Sequence, residues 1–364
     1  MKHILFLTNH SFMFWQFRRE LVQALLERGC HITIGVPFGE HIGDFEALGC
    51  RMVDIPLDRR GINPITDGKL LLRYLQLLRQ ERPDLVVTYS IKPNIYAGLA
   101  CRFLRIPYCV HVQGLGTAFQ NPGIARLVTI LYRSALKIAQ VVFFENQDNA
   151  RTFREMGITP GEKQCVLHGA GINLDFHTMQ PYPQDGPVHF LYLGRLMREK
   201  GIGELFAAVR RLHAEGEAFF LDLVGFFEDS YKEQVTQLEN LGIAKFHGFQ
   251  ADPRPWYAHS HCVVLPSYHE GMSNVLLEGA ATCRPLITSD IPGCREAVDD
   301  GITGFLCLSR DEESLYQAMK RFLALSHSQR EAMGKAGRAK IEAQFDKKQV
   351  VAQTVAALFE EEIL

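Results

Sequence analysis

No two of the nine cysteines form a C-x-x-C pair, and their odd, scattered spacing offers no disulfide framework or zinc site. They read as small buried hydrophobes in a reducing, cytosolic setting. No apolar run approaches the roughly 18 residues of a membrane-spanning helix. The N-terminal run at residues 4–7 is too short for the core of a signal peptide. No G-x-G-x-x-G follows that run, which argues against a dinucleotide oxidoreductase. Low-complexity tracts and repeats of fixed period are also missing.

The 364 residues are 47% hydrophobic and 22% charged, enough for two buried cores and little disorder. The net charge of −2 is unevenly shared: 20 Lys and Arg stand against 15 Asp and Glu over residues 1–180, and 19 against 26 beyond. A mildly basic first half suits an anionic partner, a membrane surface or a diphosphate, and nothing points to nucleic acid.

Short apolar runs alternate with amphipathic stretches along the whole chain. Strands are expected at 3–8, 31–36, 51–55, 84–89, 107–112, 141–145 and 164–167, then at 188–193, 218–224, 244–247, 261–265, 285–288 and 304–307. Runs apolar on both faces and separated by helices imply parallel sheets covered on both sides. The fold class is therefore α/β, with two Rossmann-like doubly wound domains. The first covers 1–176, a Pro- and Gln-rich linker 177–187, the second 188–345, and a terminal helix 346–364. In such sheets ligands sit at the carboxyl ends of the strands.

The stretch HEGMSNVLLEG, 269–279, lies at one such end. Ser273 is a natural N-cap for a helix beginning near Asn274, and Gly271 lets a ligand approach the backbone. Amides from Met272 to Val275 at the helix start make an anion site. Glu278, one turn inside, can reach a diol beside the helix end, while Glu270 on the loop projects beyond the phosphates. A glycosidase pair, with carboxylates about 5–10 Å apart across one bond, fits poorly. Two solvated glutamates around an ordinary helix cap remain an alternative.

A second stretch, LYLGRLMREKGIGEL at 191–205, runs a buried strand into Gly194 and Arg195 and places Lys200 before a helix. Two cations at a strand's carboxyl end can neutralise a departing diphosphate.

These two stretches, with LVGFFED (223–229), HGF (247–249) and the Gly-rich return after Glu278, resemble the family 4 retaining glycosyltransferases of the GT-B fold. The resemblance implies two domains facing each other across a cleft, with the last helix crossing back to the first domain. It implies that Arg195 and Lys200 bind the donor diphosphate beside Gly194. Glu278 would bind the ribose and Glu270 the donor sugar, and backbone amides of Gly271, Met272, Ser273 and Asn274 would take phosphate oxygens. Phe249 would lie where the base is held. No D-x-D occurs, so the usual metal-and-diphosphate carboxylate pair is missing, and no metal or cofactor is expected.

The first domain is less explicit. The first strand leads into Asn9-His10-Ser11, where family members often carry Gly-Gly, and then into an aromatic helix with Arg18 and Arg19 that suits a membrane interface or a polyprenyl chain. SIKPNIYAGLA (90–100) and HVQGLGTAF (111–119) resemble family members that extend undecaprenyl-diphosphate-linked oligosaccharides in protein-glycan, O-antigen and capsule assembly. Lys92, His111 and Gln113, with Asn9, His10 and Ser11, are the acceptor-side candidates. The resemblance implies a metal-independent retaining transferase at the inner face of the cell membrane. It would move a hexose or N-acetylhexosamine from a nucleotide-sugar, best a UDP-sugar, to a lipid-linked saccharide. A sugar-nucleotide epimerase on the same fold and a non-catalytic nucleotide-sugar-binding protein are the competing expectations.

Overall fold

The computed structural model describes residues 1–58, 63–116, 119 and 122–359. The chain divides into two compact units, Met1–Gly171 with Lys347–Leu364, and Ile172–Asp346. All thirteen expected strands form.

In unit 1 they are β1 (His3–Leu7), β2 (His31–Val36), β3 (Arg51–Asp54), β4 (Leu85–Tyr89), β5 (Tyr108–Val112), β6 (Val142–Phe144) and β7 (Gln164–Val166). They pair in parallel in the order β3-β2-β1-β4-β5-β6-β7. The order reverses beside β1, so a crevice opens at the carboxyl ends of β1 and β4. Helices α1 (Ser11–Glu27), α2 (Ile42–Ala47), α3 (Pro64–Glu81), α4 (Gly98–Leu104), α5 (Pro122–Ala135) and α6 (Gln147–Glu155) alternate with them. The α3 helix starts where Asn63 accepts amides of Ile65 and Thr66, with Pro at the first helical position, a cap worth about 1 kcal/mol.

Unit 2 holds β8 (Val188–Leu193), β9 (Phe219–Val224), β10 (Ala244–Phe246), β11 (Cys262–Leu265), β12 (Leu286–Ser289) and β13 (Gly304–Cys307), parallel in the order β10-β9-β8-β11-β12-β13. Its helices are α7 (Ile202–Ala214), α8 (Lys232–Asn240), α9 (Arg254–His259), α10 (Asn274–Ala281), α11 (Glu312–Leu323) and α12 (His327–Gln344). The last helix, α13 (Lys347–Phe359), returns to unit 1, where Val350, Val355 and Leu358 join the core beneath α1. Residues 360–364 of the expected terminal helix lie outside the described residues.

The tract 177–187 differs from the linker read in the sequence. It belongs to unit 2, because its backbone carbonyls are used there. The fully buried Arg284 guanidinium donates to Pro181 O at 2.8 Å, His327 pairs with Pro183 O at 2.8 Å, and Tyr182 donates to His261 O at 2.9 Å. Pro and Gln removed the period of a helix or strand, but they did not leave the segment without partners. No disulfide joins any of the nine cysteines, and only Cys165 is not buried.

Candidate active site

In unit 2 the loops after β8, β9 and β11 gather at one edge of the sheet. Lys200 Nζ lies 2.5 Å from Glu270 Oε1, and Ser267 Oγ donates to the same oxygen at 2.8 Å. Both side chains of the ion pair are largely buried. Oε2 takes neither bond, so the carboxylate is oriented by one oxygen and keeps acceptor capacity on the other. Gly201 packs so closely on the end of β11 that a Cβ there would stand 2.1 Å from Pro266 O. Gly293 (φ +84) likewise lies where a Cβ would meet the carbonyls of Gly271 and Glu270 at 2.6 and 2.7 Å. Bare backbone at these two positions lets the loops close on Glu270.

Arg195, the other expected diphosphate ligand, is half-exposed and paired with Glu228 Oε2 at 2.5 Å. Its backbone carbonyl accepts the buried Tyr192 hydroxyl at 2.6 Å, which fixes the turn after Gly194 (φ +150). Glu228, within LVGFFED, and Ser267, within LPSYHEG, were not singled out in the sequence. The partner of Glu228 lies 33 residues away in the chain, whereas Ser267 is only three residues from Glu270 and could have been read as its neighbour.

Helix α10 begins as expected, with Ser273 at the N-cap position, although no side-chain cap bond forms. Its first ladder bond runs from Leu277 N–H to Ser273 O at 3.2 Å, so the amides of Asn274, Val275 and Leu276 precede the ladder. The Ser273 amide, expected to face a phosphate, is instead given to Gly293 O at 2.8 Å. Met272 is buried. Asn274 Oδ1 is buried with no partner, an orphan acceptor of the kind a ligand satisfies. Glu278 is buried on the next turn and accepts the Tyr257 hydroxyl at 2.9 Å. Burial and the adjacent Glu278 carboxylate raise the Tyr257 phenol well above its usual range, so it stays a donor. Phe249 stands beside the same edge, strongly exposed, where Gly248 O accepts the Gly225 amide at 2.9 Å.

In unit 1, Asn9 and Gln113 meet through a residue the sequence reading passed over. Ser90 Oγ donates to Asn9 Oδ1 at 2.9 Å and lies 3.4 Å from Gln113 Oε1. Ser90 holds φ +73, a left-handed conformation costly for a residue with a Cβ. The following Pro93–Ala97 turn is a π-helix, so strain and irregular backbone concentrate at the β4 carboxyl end. His10 occupies the N-cap position of α1 without a side-chain cap bond, and Ser11 is buried as the first helical residue.

Two acceptor-side candidates are engaged by neighbours within the fold. His111 lies inside β5, stacked between Tyr89 (4.7 Å) and Phe143 (5.1 Å), with Nδ1 unpartnered. Burial, and then Arg18, hold it neutral, well below the usual histidine range. Lys92 is tied to buried Asp67 at 2.9 Å, and Tyr96 shares that carboxylate at 3.1 Å. The α1 helix is also not an open amphipathic face. Phe14 and Arg18 are buried, Arg18 is paired with Glu145 at 2.7 Å, and of its large apolar side chains only Met13 is exposed.

The two parallel sheets with their helices match solved structures of the GT-B fold. Anabaena HepE in complex with UDP aligns over 99% of this chain and 100% of its own, with TM-score 0.80 and 18% identity. A Rickettsia africae glycosyltransferase aligns over 99% and 98%, with TM-score 0.79 and 18% identity. The fold is thus GT-B, built on two parallel-sheet units.

The model for glycosyl transferases group 1 matches residues 187–324, and the glycosyl transferase 4-like domain matches 15–170. The chain belongs to this glycosyltransferase family. Among curated relatives, a Campylobacter jejuni N,N'-diacetylbacillosaminyl-diphospho-undecaprenol alpha-1,3-N-acetylgalactosaminyltransferase is 24% identical over 87% of this chain and 88% of its own. An Escherichia coli UDP-Gal:alpha-D-GlcNAc-diphosphoundecaprenol alpha-1,3-galactosyltransferase is 25% identical over 73% of each.

Proposed function

We propose that this enzyme transfers a hexose or N-acetylhexosamine from a UDP-sugar to a saccharide carried on polyprenyl diphosphate, with retention of configuration and without a divalent metal at the diphosphate. The observation that carries this reading is the Lys200–Glu270–Ser267 constellation beside the opening amides of α10. The two curated relatives named above both act, by their names, on sugars linked to diphospho-undecaprenol, which supports the acceptor class.

In the donor complex Arg195 exchanges Glu228 for a phosphate oxygen, and Lys200 supplies a point charge to the same diphosphate. The amides at the start of α10 take further phosphate oxygens, and Glu278 holds the ribose diol while Tyr257 keeps its carboxylate in place. Charge develops on the leaving diphosphate as the anomeric C–O bond breaks, and fixed cations and helix dipoles aimed there lower the barrier. Glu270, held by Lys200 and Ser267, orients hydroxyls of the donor sugar. The acceptor hydroxyl attacks the face the diphosphate leaves, and its proton passes to that diphosphate.

On this reading the enzyme works at the cytoplasmic face of a membrane, where a lipid-linked acceptor would lie. No helix of the described residues is long and apolar enough to cross one. An exposed amphipathic surface supports peripheral attachment: Leu127, Ile130 and Ile138 stand out beside exposed Arg126, Arg133 and Lys137 on and just after α5.

The test is a donor screen. Thermal shift against UDP-, GDP-, ADP- and TDP-sugars should select the UDP series. Free UDP should then appear only when a polyprenyl-diphosphate-linked saccharide is supplied. Interconversion of the donor alone would make the protein an epimerase. Restoration of chelator-treated enzyme by Mg2+ or Mn2+ would overturn the metal-free part.

A further inference from the structure

A cluster of histidines around one buried carboxylate lies in unit 2, outside the donor residues. Asp222 sits inside β9, with Leu191 of β8 as its register partner. His189 is two residues earlier on β8, so it shares a sheet face with Asp222. Its Nδ1 lies 3.0 Å from Asp222 Oδ2. The other carboxylate oxygen, Oδ1, is 2.8 Å from Nε2 of His247, just after β10. His247 packs against Trp256 of α9, their rings 4.0 Å apart. That helix ends in the exposed His259, whose ring comes within 4.6 Å of His189. One ligand atom from each of His189, Asp222 and His259 lies within 4.8 Å of the others.

We propose that His189, Asp222 and His259 bind one divalent transition-metal ion of the zinc type. Two imidazoles and one carboxylate suit zinc and its neighbours, whereas magnesium and calcium prefer all-oxygen shells. Bonds of about 2.0–2.1 Å to a tetrahedral ion bring ligand atoms to about 3.4 Å apart. Rotation of the exposed His259 ring supplies that contraction, while the His189–Asp222 hydrogen bond at 3.0 Å gives way to the two metal bonds. Asp222 Oδ2 faces the ion while His247 holds Oδ1, the outer hydrogen bond that orients a ligating carboxylate. His261 is not a ligand: its Nδ1 accepts the His189 amide at 3.0 Å, and its Nε2 pairs with Gln184 O at 3.1 Å. Three protein ligands leave a fourth position for water.

The ion clamps β8, β9 and α9 together. His247 immediately precedes Gly248 and Phe249, so it also steadies the loop proposed to hold the base. His189 is the second residue of β8 and Arg195 follows its far end, six residues or about 20 Å along the strand direction. The site is thus separate from the diphosphate and does not make transfer metal-dependent.

The experiment uses the full chain stripped with chelator and dialysed. Calorimetric titration with Zn2+ should give one ion per chain at micromolar affinity or tighter, with a raised melting temperature. Co2+ should give the visible absorption of a tetrahedral site. His259→Ala, at an exposed position that the fold does not need, should weaken Zn2+ binding at least tenfold. His213→Ala, an exposed histidine on α7, should leave binding unchanged. Absence of stoichiometric binding in the wild type would overturn the proposal. So would undiminished affinity in both His259→Ala and His189→Asn, or equally tight binding of Mg2+.

Discussion

Glu270 carries the sharpest demand at the scale of single residues, because one of its oxygens is committed to Lys200 and Ser267 while the other is not. Replacing it with Gln preserves shape and removes the charge that holds Lys200. The expected result is a fall in kcat of about 100- to 1000-fold, with an unchanged circular dichroism spectrum and melting temperature within a few degrees. Turnover equal to wild type would remove Glu270 from the mechanism.

Glu278 should behave differently. The proposed contact to the ribose would be made before and during reaction, so Glu278→Gln should raise the donor KM by about tenfold or more and leave kcat nearly constant. Steady-state kinetics with varied donor separates the two residues. The difference in role follows from their supports: a loop carboxylate steered by a cation, and a helix carboxylate steered by the neutral Tyr257 hydroxyl.

Among elements, the β4 carboxyl end combines a left-handed Ser90 with a π-turn, and these are costs that packing alone does not explain. Ser90→Gly relieves the backbone strain but deletes the hydroxyl that joins Asn9 and Gln113. Thermal stability should stay level or rise, the two effects being about 1 kcal/mol each and opposed, while acceptor KM rises and donor binding holds. A rise in donor KM alone would refute an acceptor-side role.

Helix α5 makes a separate prediction. Ile130→Glu adds a charge to its most exposed apolar residue and should reduce co-sedimentation with anionic vesicles several-fold, with UDP-sugar binding unaffected. Equal co-sedimentation would remove α5 from the membrane surface. The sequence pointed to α1 for this role because its aromatics and arginines look amphipathic. In the fold Phe14 is buried in the core and Arg18 is paired with Glu145, which leaves α1 with less open apolar surface than α5.

For the whole molecule, buried neutral histidines couple folding to acid. His261 is held down to about 4 by burial, and His111 is held well below its ordinary value of 6.5. Their unfolded forms protonate near 6.5, so unfolding takes up protons below that pH. Stability is therefore complete above about pH 6.5 and falls as the pH drops toward 4, by up to about 3 kcal/mol for His261. Urea unfolding at pH 7.5 and 5.0 measures the slope. His111→Phe keeps the aromatic stack, removes a buried unpartnered nitrogen, and should flatten that slope without loss of activity. A large activity loss would restore His111 to the acceptor site.

Alternation of doubly apolar runs with amphipathic ones determined the two parallel sheets, since burial on both faces leaves no polar side to a strand. Glycines beside charged residues at predicted strand ends pointed to Gly194–Arg195, Lys200 and Glu270 as candidates, because backbone approach and local cation density are written in residue types. What only the tertiary structure decided were the partners and the exposures. Glu228 on Arg195, Tyr257 on Glu278, Gly293 beneath Glu270, the sealed place of His111 and the convergence of His189, Asp222 and His259 all join positions far apart in the chain. Hydrogen bonds and burial depend on separation in space, and sequence periodicity reports only which face of its own element a residue occupies.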